Sequence, residues 1–257
     1  MDLQLNGKTA LVSGSTGGIG LAIAQALGRE GAKVTIVGRG QTGVDKAVAA
    51  TENASGIVAD LATADGAEAV IKALPHVDIL VNNLGIYEAK PFEEISDADW
   101  LRLFEVNVLS GIRLSRHYFP GMLARDWGRV IFIASESALS IPEEMVHYGM
   151  TKTAQLAVAR GLAERTKGSG VTVNSVLPGP TQSEGIFEFL RSIASDPKAS
   201  DAEVEAEFFR LHRSSSLLQR LIKADEIASL VAYLSSPLAA ATNGAAIRAE
   251  GGLVKSI

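Results

Sequence analysis

The chain has 257 residues, 47% of them hydrophobic but only 5% aromatic, and its 24 basic and 29 acidic side chains leave a formal net charge of -5. Such a length and aliphatic balance support one large core and argue against disorder, while the acidic sum gives no electrostatic reason to expect nucleic acid or an anionic membrane as partner. The lack of cysteine excludes disulfides, thiolate metal sites and cysteine nucleophiles, and the scattered His76, His117, His147 and His212 form no metal-ligand pair, so no metal is expected.

Met1 to Lys8 contain no basic region leading into an apolar run, so a cytoplasmic protein is the expectation. The apolar stretch that follows is broken by Gly14, Gly17, Gly18 and Gly20, and reads as strand 9–12, a turn and helix 21–29 rather than as a membrane span. Further β-rich runs at 34–37, 56–58, 79–81, 130–133, 171–176 and 245–248 are separated by helical patterns. Continuous apolar strands alternating with helices predict an α/β fold, a Rossmann-like doubly wound parallel sheet with helices on both faces. No repeat or Pro/Ser-rich linker divides residues 1–257, so a single domain is expected. The segment 182–222 interrupts the alternation and holds Phe187, Phe189, Phe208 and Phe209, half of the eight Phe. It reads either as a substrate-covering lid or as a helical excursion packing on itself.

The first turn, Ser13-Gly14-Ser15-Thr16-Gly17-Gly18-Ile19-Gly20, lies between strand and helix. There glycines admit a pyrophosphate close to the backbone, and the free N–H groups of the helix stabilise its charge. The second strand ends Val37-Gly38-Arg39, where an NAD site usually carries an acid for the ribose 2′-OH. Gly38 removes that acid and Arg39 offers a bidentate partner to a 2′-phosphate, so NADP(H) is favoured over NAD(H). Asp60-Leu61 and Asn82-Asn83-Leu84-Gly85 follow the third and fourth strands, at the edge where such sheets bind ligands. Tyr148 and Lys152 are an i, i+4 pair on one helical face. A tyrosine with a free pKa near about 10 becomes a usable acid or base at neutral pH only beside a positive charge, which Lys152 supplies.

The spacing Gly14-x-x-x-Gly18-x-Gly20, followed by Asn82-Asn83-Leu84-Gly85, Asn107, Ser135 thirteen residues before Tyr148, the Tyr148-x-x-x-Lys152 pair and Pro178-Gly179-Pro180-Thr181, resembles the short-chain dehydrogenase/reductase family. The resemblance runs from Gly7 to Gly252. It implies a catalytic tetrad of Asn107, Ser135, Tyr148 and Lys152, with Ser135 holding the substrate oxygen against Tyr148 and Asn107 anchoring a water that leads protons to Lys152. It also implies a cofactor site of Gly14, Ser15, Thr16, Gly18, Ile19, Gly20, Arg39, Asp60, Leu61, Asn83, Gly85, Tyr148, Lys152, Pro178, Gly179 and Thr181. In that site Asp60 meets the adenine, Asn83 steadies the sheet, and the loop at Pro178 closes over the nicotinamide. Leu84 stands where the family has Ala and brings a bulkier wall to the cofactor; Glu250 replaces the usual Asp near the last strand. Members of this length are often tetramers built through helices beginning near residues 97 and 145, so a homo-oligomer, tetramer or dimer, is expected.

The function so implied is hydride transfer between a nicotinamide and a carbonyl or secondary alcohol, with a carbonyl reductase as the leading reading. The alternatives are a 3-oxoacyl carrier-protein reductase and, in another class, a nucleotide-binding regulator without turnover. Substrate contacts are expected from Glu136, Met145 and Phe187, with Glu143, Glu144 and His147 as further candidates, His147 alternatively meeting a neighbouring subunit. The Phe-rich segment predicts an apolar pocket for a bulky aryl or acyl substrate.

Overall fold

The computed structural model describes residues 1–183 and 185–257; Glu184, inside the expected 182–222 segment, lies outside the described residues. Strands β1 (Thr9–Val12), β2 (Lys33–Gly38), β3 (Ala54–Val58), β4 (Ile79–Asn82), β5 (Gly128–Ile133), β6 (Val171–Pro178) and β7 (Ala246–Ala249) pair in the order β3-β2-β1-β4-β5-β6-β7. Every pairing is parallel. β4, β5 and β6 are buried along their whole lengths, as the unbroken apolar runs require of central strands covered on both faces. This is a Rossmann-like sheet.

Helices cover both sides. On one face Ile23 and Leu27 of α1 (Gly18–Arg29) pack with Ile227 and Val231 of α9 (Ala224–Ser235) against Val12, Ile36 and Ile131. On the other, Leu114, Tyr118 and Met122 of α5 (Ser110–Ala124) and Ala159 of α6 (Val146–Glu164) meet Leu11, Leu80 and Phe132. The i, i+4 spacing of these apolar residues decides which stripe each helix buries. The remaining helices on the sheet are α2 (Gln41–Ala49), α3 (Ala64–Ala73) and α4 (Asp97–Phe104), the last started by a reciprocal Ser96–Asp99 capping box.

Strand ends differ from expectation by one or two residues because pairing reaches beyond the apolar run: polar Ser55 of β3 still pairs with Thr35. α1 begins at Gly18 rather than at 21, because the helix takes in Gly18, Ile19 and Gly20 and its cap falls on Gly17. In the 182–222 segment, α7 (Ile186–Ile193) and α8 (Asp201–Leu211) bury Ile186, Leu190, Val204, Phe208, Phe209 and Leu221 in a cluster of their own. Among the described residues no helix is long and apolar enough to cross a membrane.

The chain runs outward from β1 to β2 and β3, then returns to place β4 on the other side of β1. That reversal opens a crevice beyond the carboxyl ends of β1 and β4, with α7 and α8 standing over it.

Candidate active site

A cavity of about 300 Å³ fills this crevice, and one continuous wall carries Gly14, Asn83, Ser135, Tyr148, Lys152 and Gly179. Its floor is the glycine turn. Gly14 has a φ of +62°, the left-handed region, and a Cβ there would lie 3.1 Å from Leu84 Cα. At Gly20 a Cβ would come within 2.4 Å of both Asn83 Nδ2 and the Gly14 carbonyl, so a side chain would displace the turn itself. Gly17 starts α1 without any side-chain cap, leaving the first-turn amides for an anionic guest. These features fit a dinucleotide pyrophosphate.

Two residues behind the turn hold it. Asn83 Nδ2 donates to the carbonyls of Ser13 (2.9 Å) and Gly14 (3.1 Å). Ser13, which the motif reading passed over, accepts the backbone N–H groups of Asn83 (2.9 Å) and Leu84 (3.0 Å) on its hydroxyl. A serine one position before a glycine carries no spacing signal, and only the β1–β4 neighbourhood reveals its role. Ser15 is likewise internal: it donates to the Val12 carbonyl at 2.7 Å and accepts Val37 N–H at 3.1 Å.

Thr16 packs on Gly38, where a Cβ would lie 2.3 Å from its methyl. Arg39 is exposed just beyond. Asp60 caps its own turn by accepting Ala62 N–H at 3.0 Å, and Leu61 is buried in the sheet's core. Thr16, Arg39, Asp60 and Leu61 lie along the strand ends on the β2–β3 side, whereas Ile19, Gly85, Pro178, Gly179 and Thr181 line the cavity with the glycines. Gly18 has a φ of +53° and faces Ser183.

The four residues of the expected tetrad come from three places: the turn between α4 and α5, the end of β5, and α6, which carries both Tyr148 and Lys152. A single π-helical turn, Glu105–Leu109, joins α4 to α5 and turns Asn107 inward, 1% exposed. Its Oδ1 accepts Ile86 N–H at 2.8 Å, and its Nδ2 donates to the Ile86 carbonyl (2.9 Å) and Thr151 Oγ1 (3.0 Å). Lys152, buried on α6, donates from Nζ to the Ile133 carbonyl at 3.0 Å and lies 5.6 Å from the centre of the Tyr148 ring. A Cβ on Gly85 would sit 3.4 Å from Lys152 Nζ and 3.5 Å from Asn107 Oδ1, so the bare backbone there lets all three approach. Ser135, at the end of β5, donates its hydroxyl to the Glu136 carboxylate and accepts Ser137 N–H at 3.1 Å.

Burial, and secondarily the Glu136 charge, push the Tyr148 phenol above its ordinary range, while the Ser135 hydroxyl pulls the other way. Burial lowers Lys152 to about 8, partly opposed by Glu136. The two shifts run in opposite directions, so the lysine titrates first, and burial outweighs the lowering of the phenol that a neighbouring positive charge was expected to bring.

Of the expected substrate contacts, Glu136 and Met145 line the cavity. Phe187 does not: Ile186 and Phe189 share the inward face of α7, and Phe187, about 100° around the helix, packs in the cluster behind. Phe208 completes that apolar wall, and Tyr87 meets Tyr148 edge-on at 6.4 Å and Phe189 at 5.5 Å. The segment 182–222 thus both packs on itself and lines the cavity. The pocket is not apolar throughout, because Arg213 reaches in from beyond α8 and pairs with Glu136 at 3.5 Å and Glu144 at 3.4 Å. Arg213 stands alone in a serine-rich turn, so nothing in its neighbours marked it. Glu143 is exposed, and His147 is fully buried within the chain, 5.9 Å from Trp100 edge-on, so its ring offers no surface to a neighbour. Glu250 is also internal, its carboxylate accepting Val254 N–H at 3.2 Å. Among the described residues no group of His, Asp or Glu could hold a metal ion.

The family model for short chain dehydrogenases matches residues 8–190. The chain belongs to this family. Over its whole length it is 49% identical to the uncharacterized oxidoreductase YvaG of Bacillus subtilis, whose whole length is also covered. It is 31% identical to the 3-oxoacyl-[acyl-carrier-protein] reductase FabG of Vibrio cholerae, over 98% of this chain and 99% of that one. Among solved structures, L-sorbose reductase from Gluconobacter frateurii, complexed with NADPH and L-sorbose, superposes with a TM-score of 0.91 at 27% identity and full coverage of both chains. As a short-chain dehydrogenase, the protein is an oxidoreductase acting on a CH–OH/C=O pair, and the reading as a regulator without turnover falls away.

Proposed function

We propose that the protein is an NADP(H)-dependent carbonyl reductase acting on a small molecule in the cytoplasm as a homo-oligomer, with 182–222 as its substrate-covering segment. The observation that carries this reading is the convergence of Ser135, Tyr148 and Lys152 on one cavity whose floor is the glycine turn, with Asn107 behind Gly85 beside Lys152. A nicotinamide held between the glycine turn and the Pro178–Thr181 loop would supply the hydride for the carbonyl carbon. Tyr148 gives its phenolic proton to the carbonyl oxygen, which Ser135 positions. The Lys152 ammonium stabilises the phenolate left behind and returns a proton to it, and Asn107 holds the Ile86 backbone and Thr151 in place beside that path. In the oxidative direction the same groups act in reverse.

NADP(H) is favoured by Gly38, whose contact with Thr16 leaves no room for an acidic side chain, and by the exposed Arg39 beside it. The NADPH in the related L-sorbose reductase agrees with that preference. Replacing Tyr148 by Phe tests the catalytic assignment: NADPH binding is retained and ketone reduction falls by at least about a thousandfold. A folded Tyr148→Phe protein that binds NADPH and reduces ketones at the parental rate refutes it.

The similarity to FabG favours a second reading, reduction of a 3-oxoacyl group on a carrier protein. Comparing a 3-oxoacyl carrier protein with the free 3-oxoacyl thioester separates the two, since only a carrier reductase gains from the protein portion.

A further inference from the structure

One wall of the cavity bears charges that neither proton transfer nor cofactor binding uses. Glu136 directly follows Ser135, is 4% exposed, and faces the same space as Tyr148. Its Oε2 accepts a hydrogen bond from the Ser135 hydroxyl, and its Oε1 stands 3.5 Å from Arg213 Nε. Charge-assisted N–H···O bonds close to about 2.7–2.9 Å, so this pair is loose and leaves the carboxylate with acceptor capacity toward the cavity. Arg213 is shared with Glu144 and lies 5.4 Å from the Phe208 ring. Two carboxylates around one guanidinium make this wall negative.

These contacts constrain the substrate. A serine hydroxyl has one proton, and here Glu136 holds it, so Ser135 cannot donate to a carbonyl oxygen while that bond persists. A plain ketone brings nothing to replace the serine at Glu136. An anionic substrate meets a wall of its own sign. A neutral molecule with a hydroxyl on the carbon next to the carbonyl resolves both conflicts: its hydroxyl donates to Glu136, and Ser135 turns its proton to the carbonyl oxygen. The two oxygens of such a molecule lie about one hydrogen-bond length apart, matching Ser135 Oγ beside Glu136 Oε2.

We propose that Glu136 selects neutral α-hydroxy ketones, of the kind a ketose presents, by accepting the hydrogen bond of the hydroxyl adjacent to the reacting carbonyl. The assignment rests on the carbonyl reductase reading above. It replaces the expectation of a bulky aryl or acyl substrate, and Phe189 and Phe208 then cover the carbon face of the substrate rather than an aromatic group.

The test compares 1-hydroxy-2-butanone with its near-isostere 3-pentanone, using NADPH and the full-length protein. The parent is expected to favour the hydroxy ketone in kcat/KM by about 10- to 100-fold, the range one hydrogen bond to a charged group provides. In Glu136→Leu the ratio falls to within about threefold of unity, a change that a loss of general structural integrity does not produce, since that lowers both rates together. If Glu136→Leu does not fold, Glu136→Leu/Arg213→Met, which leaves no orphaned charge between those two positions, is read in the same way. A parental ratio near one overturns the substrate assignment while both ketones still turn over, so the reductase reading stands. A parental preference that survives in the variants overturns the role of Glu136. If neither ketone is reduced with NADPH or NADH, and neither corresponding alcohol is oxidised, the reductase reading fails and this assignment with it.

Discussion

Replacing Ser13 by Ala removes one oxygen and takes the acceptor from Leu84 N–H, while Asn83 N–H keeps the Val81 carbonyl at 3.1 Å. Ser13 is 2% exposed at the end of β1, and its hydroxyl accepts the N–H groups of Asn83 and Leu84 at 2.9 and 3.0 Å. Its own donation to the Val81 carbonyl is long, 3.4 Å, and adds little. A buried donor left without an acceptor costs about 1–3 kcal/mol, so the loss at Leu84 N–H is of that order before any relaxation. For a chain of this size that lowers the melting temperature by roughly 2–12 °C. The loss is local to the crevice. Asn83 also clamps the Ser13 and Gly14 carbonyls, and Gly85 lies against Lys152, so loosening 83–85 weakens cofactor binding as well. Thermal unfolding of parent and Ser13→Ala, with and without NADPH, reads both effects; NADPH raises the melting temperature less in the variant. A variant that melts within about 1 °C of the parent, with the same shift on adding NADPH, refutes the reasoning.

Two further predictions concern charge. Burial lowers Lys152 to about 8, and Tyr148 is pushed up, so as pH rises the lysine is the first of the pair to lose its proton. Ketone reduction needs both protonated, and kcat/KM is therefore level below pH 8 and falls above it; in Lys152→Met the residual rate shows no break there, and an unchanged break refutes the assignment. The sign for stability is opposite: between about pH 8 and the ordinary value of 10.5 the unfolded chain holds the lysine proton that the folded chain has released, so Lys152 contributes stability that increases with pH across that window. Arg39→Ala weakens NADPH binding by about 10-fold or more and leaves NADH binding nearly unchanged, as a fluorescence titration with each nucleotide will register; equal weakening of both contradicts the 2′-phosphate assignment.

The sheet was legible because central parallel strands must be apolar on both faces, and β4, β5 and β6 carry that requirement as uninterrupted runs. The proposed tetrad was legible for another reason. Ser135, Tyr148 and Lys152 keep a spacing that links a strand end to one helical face, and Asn107 occurs in its expected place before them. The π-helical turn that aims Asn107 was not legible, since Glu105-Val106-Asn107-Val108-Leu109 carries no signal distinguishing it from ordinary helix.

Phe187 shows the limit of composition: four Phe in 182–222 indicate an apolar cluster, but only the rotation of α7 decides that Phe189 rather than Phe187 meets the cavity. The charged wall shows the limit of motifs. Glu136 and Arg213 are 77 residues apart in the chain, and neither lies in a pattern that calls for the other. By itself the sequence determined the strands, the glycine turn and the spacing of the proposed acid–base pair, because those depend on periodicity and on spacing within single elements. Ser13 beneath Asn83, Gly85 against Lys152 and Arg213 beside Glu136 were decided only by tertiary structure, because each is a contact between elements distant in sequence, brought together by the reversal of strand order at β1 and by the packing of 182–222 over it.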